Sequence, residues 1–197
     1  QELVDILFFG YGKVCNGPFL PDSFAYNDEV QTPVQDINKA KELLKEAGYD
    51  ENNPFTFEIV TNTGNDIRIN AAQILQYQLQ KSGIIMNIRV MEWQAFLNTI
   101  VHPRKFEAVL LGWSLALMPD AYPLWHSSSA KLGGFNLVSY ENKKVDELIE
   151  KGSSTINRDE LGKIYKEIFK TINEDLPYLF LYIPDSITVV NKDIKNI

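Results

Sequence analysis

Phe55 to Val90, FTFEIVTNTGNDIRINAAQILQYQLQKSGIIMNIRV, is the stretch on which the fold turns. Phe55, Phe57 and Ile59 alternate with Thr56 and Glu58, the period of a half-buried strand. A helical segment is predicted from about Asp66 to Ser82, closed by Gly83, and Ile84 to Val90 then reads as a second strand. A strand, helix, strand unit calls for a right-handed crossover joining parallel strands, which places the chain in the α/β class.

Upstream, Ile37, Ala40, Leu43, Leu44 and Ala47 recur at helical spacing between an Asp36 N-cap and a Gly48 stop. Before that, Gln1 to Tyr26 is a short apolar stretch running into Gly10, Gly12, Gly17, Pro18 and Pro21, a helix or strand end leading into a loop. So abrupt a beginning points to a fragment. Downstream, Glu92 to Val101 reads as a short helix stopped before Pro103, and Phe106 to Leu111 as a buried strand. Gly112 to Gly134, with Pro119, Pro123, Ser127 to Ser129 and Gly133-Gly134, is predicted to be a long loop of functional significance. Two helices follow, near Lys143 to Lys151 and from Asn157, where Glu160 completes a capping-box pattern. The second carries the stripe Leu161, Ile164, Tyr165, Ile168, Phe169 and Ile172. Tyr178 to Ile183 and Ser186 to Val190 are predicted strands about a Pro184-Asp185 turn.

The 197 residues suit one substantial core, and 45% hydrophobic with 23% charged residues is a globular balance. A net charge of -7 and a pI near 4.9 disfavour a nucleic-acid partner, because phosphate contacts need clustered Lys and Arg. Lys143 and Lys144 stand among Glu141, Asp146 and Glu147, the pattern of a solvated helix face. Cys15 is the single cysteine, so no intramolecular disulfide can form. No stretch reaches the roughly 20 apolar residues of a membrane span. Gln1 opens without a signal-peptide pattern, which in a fragment says nothing about destination.

Gly10-Tyr11-Gly12 lacks the third glycine of a dinucleotide loop, since Cys15 stands there, and reads as a turn. Gly112-Trp113-Ser114-Leu115-Ala116 resembles a nucleophile elbow after a strand, but a Pro-broken loop follows where a helix is needed. A serine hydrolase using Ser114 is therefore the weakest alternative, and no enzyme is expected. His102 and His126 lack further ligands at metal spacing, so no metal and no cofactor is expected. Trp93 and Trp113 flank predicted strand ends, and open α/β sheets receive ligands outside the carboxyl ends of their strands. Trp113, after a glycine and before an irregular loop, is read as facing a ligand.

Phe106-Glu107-Ala108-Val109-Leu110-Leu111-Gly112-Trp113, followed by Pro119-Asp120 and Trp125-His126-Ser127, resembles the family 5 extracellular solute-binding proteins of the oligopeptide, dipeptide and nickel-binding type. Gly17-Pro18-Phe19-Leu20-Pro21, Lys39 to Tyr49, Glu92-Trp93-Gln94-Ala95-Phe96-Leu97 and Leu176 to Tyr182 agree in order. The resemblance implies a periplasmic-binding-protein type II-like lobe, a mixed sheet with helices packed on it. Residues 1–35 would be a crossover or lead-in segment, and 36–197 the C-terminal ligand-binding lobe of a two-lobed parent.

The implied function is the substrate-binding component of an ABC importer, capturing a peptide or other small solute in an interlobe cleft. The alternative is a ligand-sensing or interaction domain on the same fold. Implied partners are the ligand, the N-terminal lobe of the parent and the membrane permease subunits. The implied location is periplasmic or extracellular at the cell envelope, with or without a lipid anchor. Implied ligand-binding residues are Trp93, Gly112, Trp113, Ser114, Leu115, Ala116 and Asp120. Two departures bear on the ligand. The aspartate that holds a peptide's amino terminus in peptide-binding members falls here on Leu115 or Ala116, and arginines of some relatives are replaced by Leu110 and Ile100 nearby. A neutral or apolar-rich solute, such as a sugar or a modified peptide, is expected, unless the other lobe supplies the charge.

Overall fold

The computed structural model describes residues 1–31, 34–116, 118–191 and 194. Its centre is the strand that opens the deciding segment. β2 (Thr56–Asn62) lies between β3 (Ile85–Met91) and β4 (Ala108–Val109) in a three-stranded sheet, parallel to both. The crossover between β2 and β3 is α3 (Asp66–Gln80), whose N-cap Asn65 accepts the Arg68 N–H.

β2 is more than half-buried. Ile59, Val60, Thr61 and Asn62 are consecutive buried residues, because helices cover both faces and strands flank both edges. Ile59 packs with Ala71, Ala72, Met86 and Leu110 beneath α1 (Glu2–Phe8) and α3. Val60 points the other way, to Phe96, Ile100, Val101 and Leu137. Each such aliphatic side chain contributes roughly 1.5–3 kcal/mol on leaving water.

β4 is shorter than the predicted run 106–111. The rung next to Ile59↔Ala108 is replaced by a side chain, since the Glu58 N–H donates to the Glu107 carboxylate at 2.7 Å. At the other end the contact continues as Leu110 N–H to the Val60 carbonyl and Thr61 hydroxyl to the Leu110 carbonyl. The predicted helix 92–101 forms as α4 (Trp93–Phe96) running into a π-helical turn, Leu97–Val101.

A third core, beside those on the two faces of the sheet, belongs to α6 (Lys143–Ser154) and α7 (Arg158–Asp175), where Ile164, Ile168, Phe169 and Ile172 of the predicted stripe are buried against Val145 and Ile149. Asn157 caps α7 as predicted, accepting the Asp159 and Glu160 N–H groups, while the Glu160 carboxylate lies 3.4 Å from Lys151. Phe19 and Ala25 belong to this core and Leu3 to the first, so the opening residues are packed into the body. Gly17 permits it, because a Cβ there would stand 2.3 Å from the Phe169 ring.

α2 (Ile37–Glu46) forms with its predicted Asp36 cap, yet none of its residues is fully buried and Leu43 is 51% exposed. The chain's end departs from the predicted hairpin. Among its described residues only β5 (Tyr182–Pro184) is a strand, and it pairs antiparallel with β1 (Gly12–Val14) in a separate two-stranded ribbon. Tyr178 and Phe180 pack on Trp125 instead, and residues 186–190 remain exposed without a ladder. The α/β class stands, with the antiparallel pairing confined to that ribbon.

Candidate functional site

Because β2, β3 and β4 are parallel, their carboxyl ends share one edge, and the chain leaving each of them supplies polar or aromatic groups there. β2 ends on Asn62. Arg68, in the first turn of α3, donates to the Asn62 side-chain oxygen at 2.7 Å and places its guanidinium 5.9 Å from the centre of the Trp93 ring. A Cβ on Gly112 would lie 3.6 Å from the same guanidinium. Arg68 therefore links Trp93 to the chain leaving β4.

Trp93 is held by a short capping arrangement. The Glu92 carboxylate accepts the Ala95 N–H at 2.9 Å, and the N–H groups of Gln94 and Ala95 hold that carboxyl below its ordinary value. This anchors the first turn of α4 beside the strand edge, with Trp93 38% exposed.

Beyond Gly112 the backbone is irregular and exposed through Ala116. Trp113 stands 39% exposed, its ring edge-to-face with Phe135 at 5.8 Å. Burial pushes the neighbouring Tyr178 phenol up to about 12, with a smaller opposing contribution from the Trp113 side chain. Trp113, Ser114, Leu115, Ala116 and Asp120 line a cavity of about 330 Å³, walled on its inner side by Phe19 and Trp125. That volume lies at the lower end of small-ligand pockets. Trp93 and Gly112 stand at the sheet edge outside this lining. A cavity of about 360 Å³ between residues 27–31 and α7, lined by Asn27, Glu29, Lys170 and Asn173 among others, shares no residue with either.

The predicted loop 112–134 is irregular only in its first part. α5 (Tyr122–Trp125) and a 3₁₀ turn at Ser127–Ser129 follow. Asp120 starts α5 by accepting the Tyr122 N–H at 3.0 Å, so one of its oxygens is already engaged. Pro123, read in sequence as a breaker, sits in the first turn, where no intrahelical N–H is needed.

His126 is buried and its ring stacks on Tyr122 at 4.3 Å. Its Nδ1 accepts the Ser128 N–H at 3.1 Å and meets the Ser128 hydroxyl at 2.9 Å, while Nε2 faces Glu150 at 3.4 Å. A ring nitrogen that accepts an N–H carries no proton, which leaves the ring proton on Nε2. These bonds tie the loop to α6. They do not reach Ser114, and Ser114 does not open a helix, so the elbow geometry is not formed. Among the described residues no group of three or more His, Cys, Asp or Glu side chains is placed to hold a metal ion.

Sequence reasoning passed over Arg68 and Asn62, and it quoted Phe19 and Trp125 within motifs without assigning either to the ligand-binding set. The helix start at Asn65, just past a strand end, was the available signal for Arg68, because first-turn residues of a crossover helix overhang the carboxyl edge. Leu110 and Ile100 are buried in the cores on opposite faces of the sheet, so the basic group at the edge is Arg68.

The sequence profile described as bacterial extracellular solute-binding proteins, family 5 Middle, matches residues 1–135. The oligopeptide-binding protein AppA of Bacillus subtilis is 35% identical over 94% of this chain and 36% of its own length. The nickel-binding protein NikA of Staphylococcus aureus is 27% identical over 100% of this chain and 39% of its own. In structure, AppA in complex with a nonapeptide superposes with a TM-score of 0.84 over 93% of this chain and 39% of that one, at 35% identity. NikZ of Campylobacter jejuni in complex with Ni(L-His) gives 0.82 over the same shares at 28% identity. The chain thus spans well under half the length of these relatives.

Proposed function

The chain belongs to the bacterial extracellular solute-binding proteins of family 5, and on that premise we propose that it is one lobe of a two-lobed ligand-capture protein serving an ABC importer. Residues 36–197 form the lobe and residues 1–35 the segment leading into it, with Leu3 and Phe19 anchoring that segment in the cores. The observation that carries the reading is the open, aromatic-walled cavity beside the carboxyl edge, with Trp113 at its mouth. The proposed ligand contacts are Trp113, Ser114, Leu115, Ala116 and Asp120 in the cavity wall and Trp93 and Gly112 at the adjoining sheet edge, where Arg68 joins them.

Capture proceeds by closure. A second lobe covers the ligand, and the closed state is favoured by contacts that exist only there. The partners of the parent are a peptide or other small solute, the second lobe and membrane permease subunits. The parent acts at the cell envelope, outside the cytoplasmic membrane; in this chain, among the described residues, no helix is long and apolar enough to cross one.

No catalytic group is needed for this role. Titrating the chain with short peptides, glutathione, haem and nickel–histidine while following tryptophan emission tests it. One solute class should bind weakly, with Kd above about 1 μM because a lone lobe makes half the contacts, and Trp113→Ala should abolish the signal. Turnover of any of these solutes that Ser114→Ala removes would overturn the reading.

A further inference from the structure

Trp125 is 2% exposed, lines the cavity beside Trp113, and carries a fully buried indole N–H with no acceptor among the described residues. Buried donors almost always have partners, so an orphan at a cavity wall marks the place where an acceptor belongs. The rest of the ring is enclosed by aromatic groups: Tyr178 at 4.8 Å, Tyr140 at 6.1 Å and Phe180 at 6.2 Å. The Tyr140 hydroxyl is committed to Asp175, and the Tyr178 side chain faces Trp113. None of these rings gives the indole N–H an acceptor, and the cavity is the void that Trp125 lines.

The wall also sets the charge of the occupant. Phe19, Leu115, Ala116, Met118 and Phe135 are apolar, and Asp120, exposed at the rim, is the one acidic or basic side chain in the lining among the described residues. Asp120 Oδ1 already accepts the Tyr122 N–H. An anionic group would meet Asp120 with no basic residue in the wall, and a cationic group reaches Asp120 only at the rim, outside the apolar depth.

We infer that this cavity takes an uncharged, mainly apolar group bearing one hydrogen-bond-accepting oxygen, a carbonyl or an ether, and that the indole N–H of Trp125 receives that oxygen. Trp125 is then a specificity-determining residue of the ligand-capture site, and the inference rests on that reading of the site. A purely hydrocarbon group of the same size is discriminated against, because it leaves the donor unpaired.

The test uses the chain labelled with ¹⁵N at its tryptophans and titrated with N-acetyl-L-leucyl-L-leucinamide, which is neutral, apolar and rich in carbonyl acceptors. The Trp113 and Trp125 indole N–H resonances should both move, Trp125 downfield as its proton is bonded. Trp125→Phe should weaken binding about fivefold, the scale of one neutral hydrogen bond, and free L-leucyl-L-leucine should bind more weakly than the blocked compound. If Trp113 responds while Trp125 does not, or if Trp125→Phe binds as tightly, the donor role is overturned and the site itself survives. If neither indole responds to this probe or to any solute in the panel above, the site reading falls, and the inference with it. The wild-type resonances decide the matter even if the variant does not fold.

Discussion

The irregular stretch after β4 has two halves that differ in everything but sequence texture. Gly112 is exposed at the sheet edge, and residues 113–116, with Met118 and Asp120, are exposed and line the cavity. Residues 121–136 include Ala121, Trp125, His126, Ser129 and Asn136, all buried, and they are fastened by side chains in place of a ladder. The Asn136 amide donates to the His126 and Tyr140 carbonyls and accepts the Tyr140 N–H. The Asp146 carboxylate accepts both the N–H and the hydroxyl of Ser127, and the Ser129 hydroxyl donates to the Tyr122 carbonyl. Irregular backbone can be buried only when each polar group finds such a partner. The first half escapes that demand by staying in water.

The widest gap between the halves should show at Asn136. Asn136→Ala orphans buried backbone groups around Tyr140 and His126 and should cost about 3 kcal/mol, read from urea denaturation. A midpoint unchanged from wild type would break the comparison. Asp146→Ala removes a charged acceptor from two Ser127 donors and should cost about 2 kcal/mol in the same assay.

In the open half the sign of the experiment reverses. Trp113→Ala gives up one edge-to-face contact with Phe135 and should cost under about 1 kcal/mol of stability, while ligand affinity falls at least tenfold. Equal losses of stability and affinity would mean that Trp113 is packing and that the halves are alike.

The smallest effect concerns the Lys144–Glu167 pair, which joins α6 to α7 away from both halves at 2.5 Å. The hydrogen bond from Lys144 holds the Glu167 carboxyl below its ordinary value. A depressed folded value means the contribution is present above the unfolded carboxyl range, near 4.3, and is lost as pH falls through the lower folded one. Both side chains are largely exposed, so Lys144→Ala should cost under about 0.5 kcal/mol at neutral pH and nothing once Glu167 is protonated. A cost that persists in acid would assign the effect to something other than the ion pair.

Local chemistry made much of the framework legible. Asp36, Glu92 and Asn157 cap helices in the structure because capping needs only a side-chain oxygen and an N–H two or three residues on. The α7 stripe is buried as its spacing implies. The C-terminal strands were misread because Tyr178 to Ile183 and Ser186 to Val190 look like partners in sequence, whereas the edge available to Tyr182–Pro184 is β1, far away along the chain. Pro123 and the serine run at 127–129 were read as loop chemistry, and Asp120, accepting the Tyr122 N–H, and His126, accepting the Ser128 N–H, help turn the two stretches into helical turns.

By itself the sequence determined the α/β class, the starts of α2, α3, α4, α6 and α7, and a strand shortly before Gly112 and Trp113, because period and capping act within a few residues. Tertiary structure alone decided that Arg68 bridges Trp93 and Gly112, that Phe19 and Trp125 close the cavity behind residues 113–116, and that Trp125 keeps an unpaired donor there. Those relations join side chains distant along the chain, and pairings of that kind are set by how the cores pack around the loop.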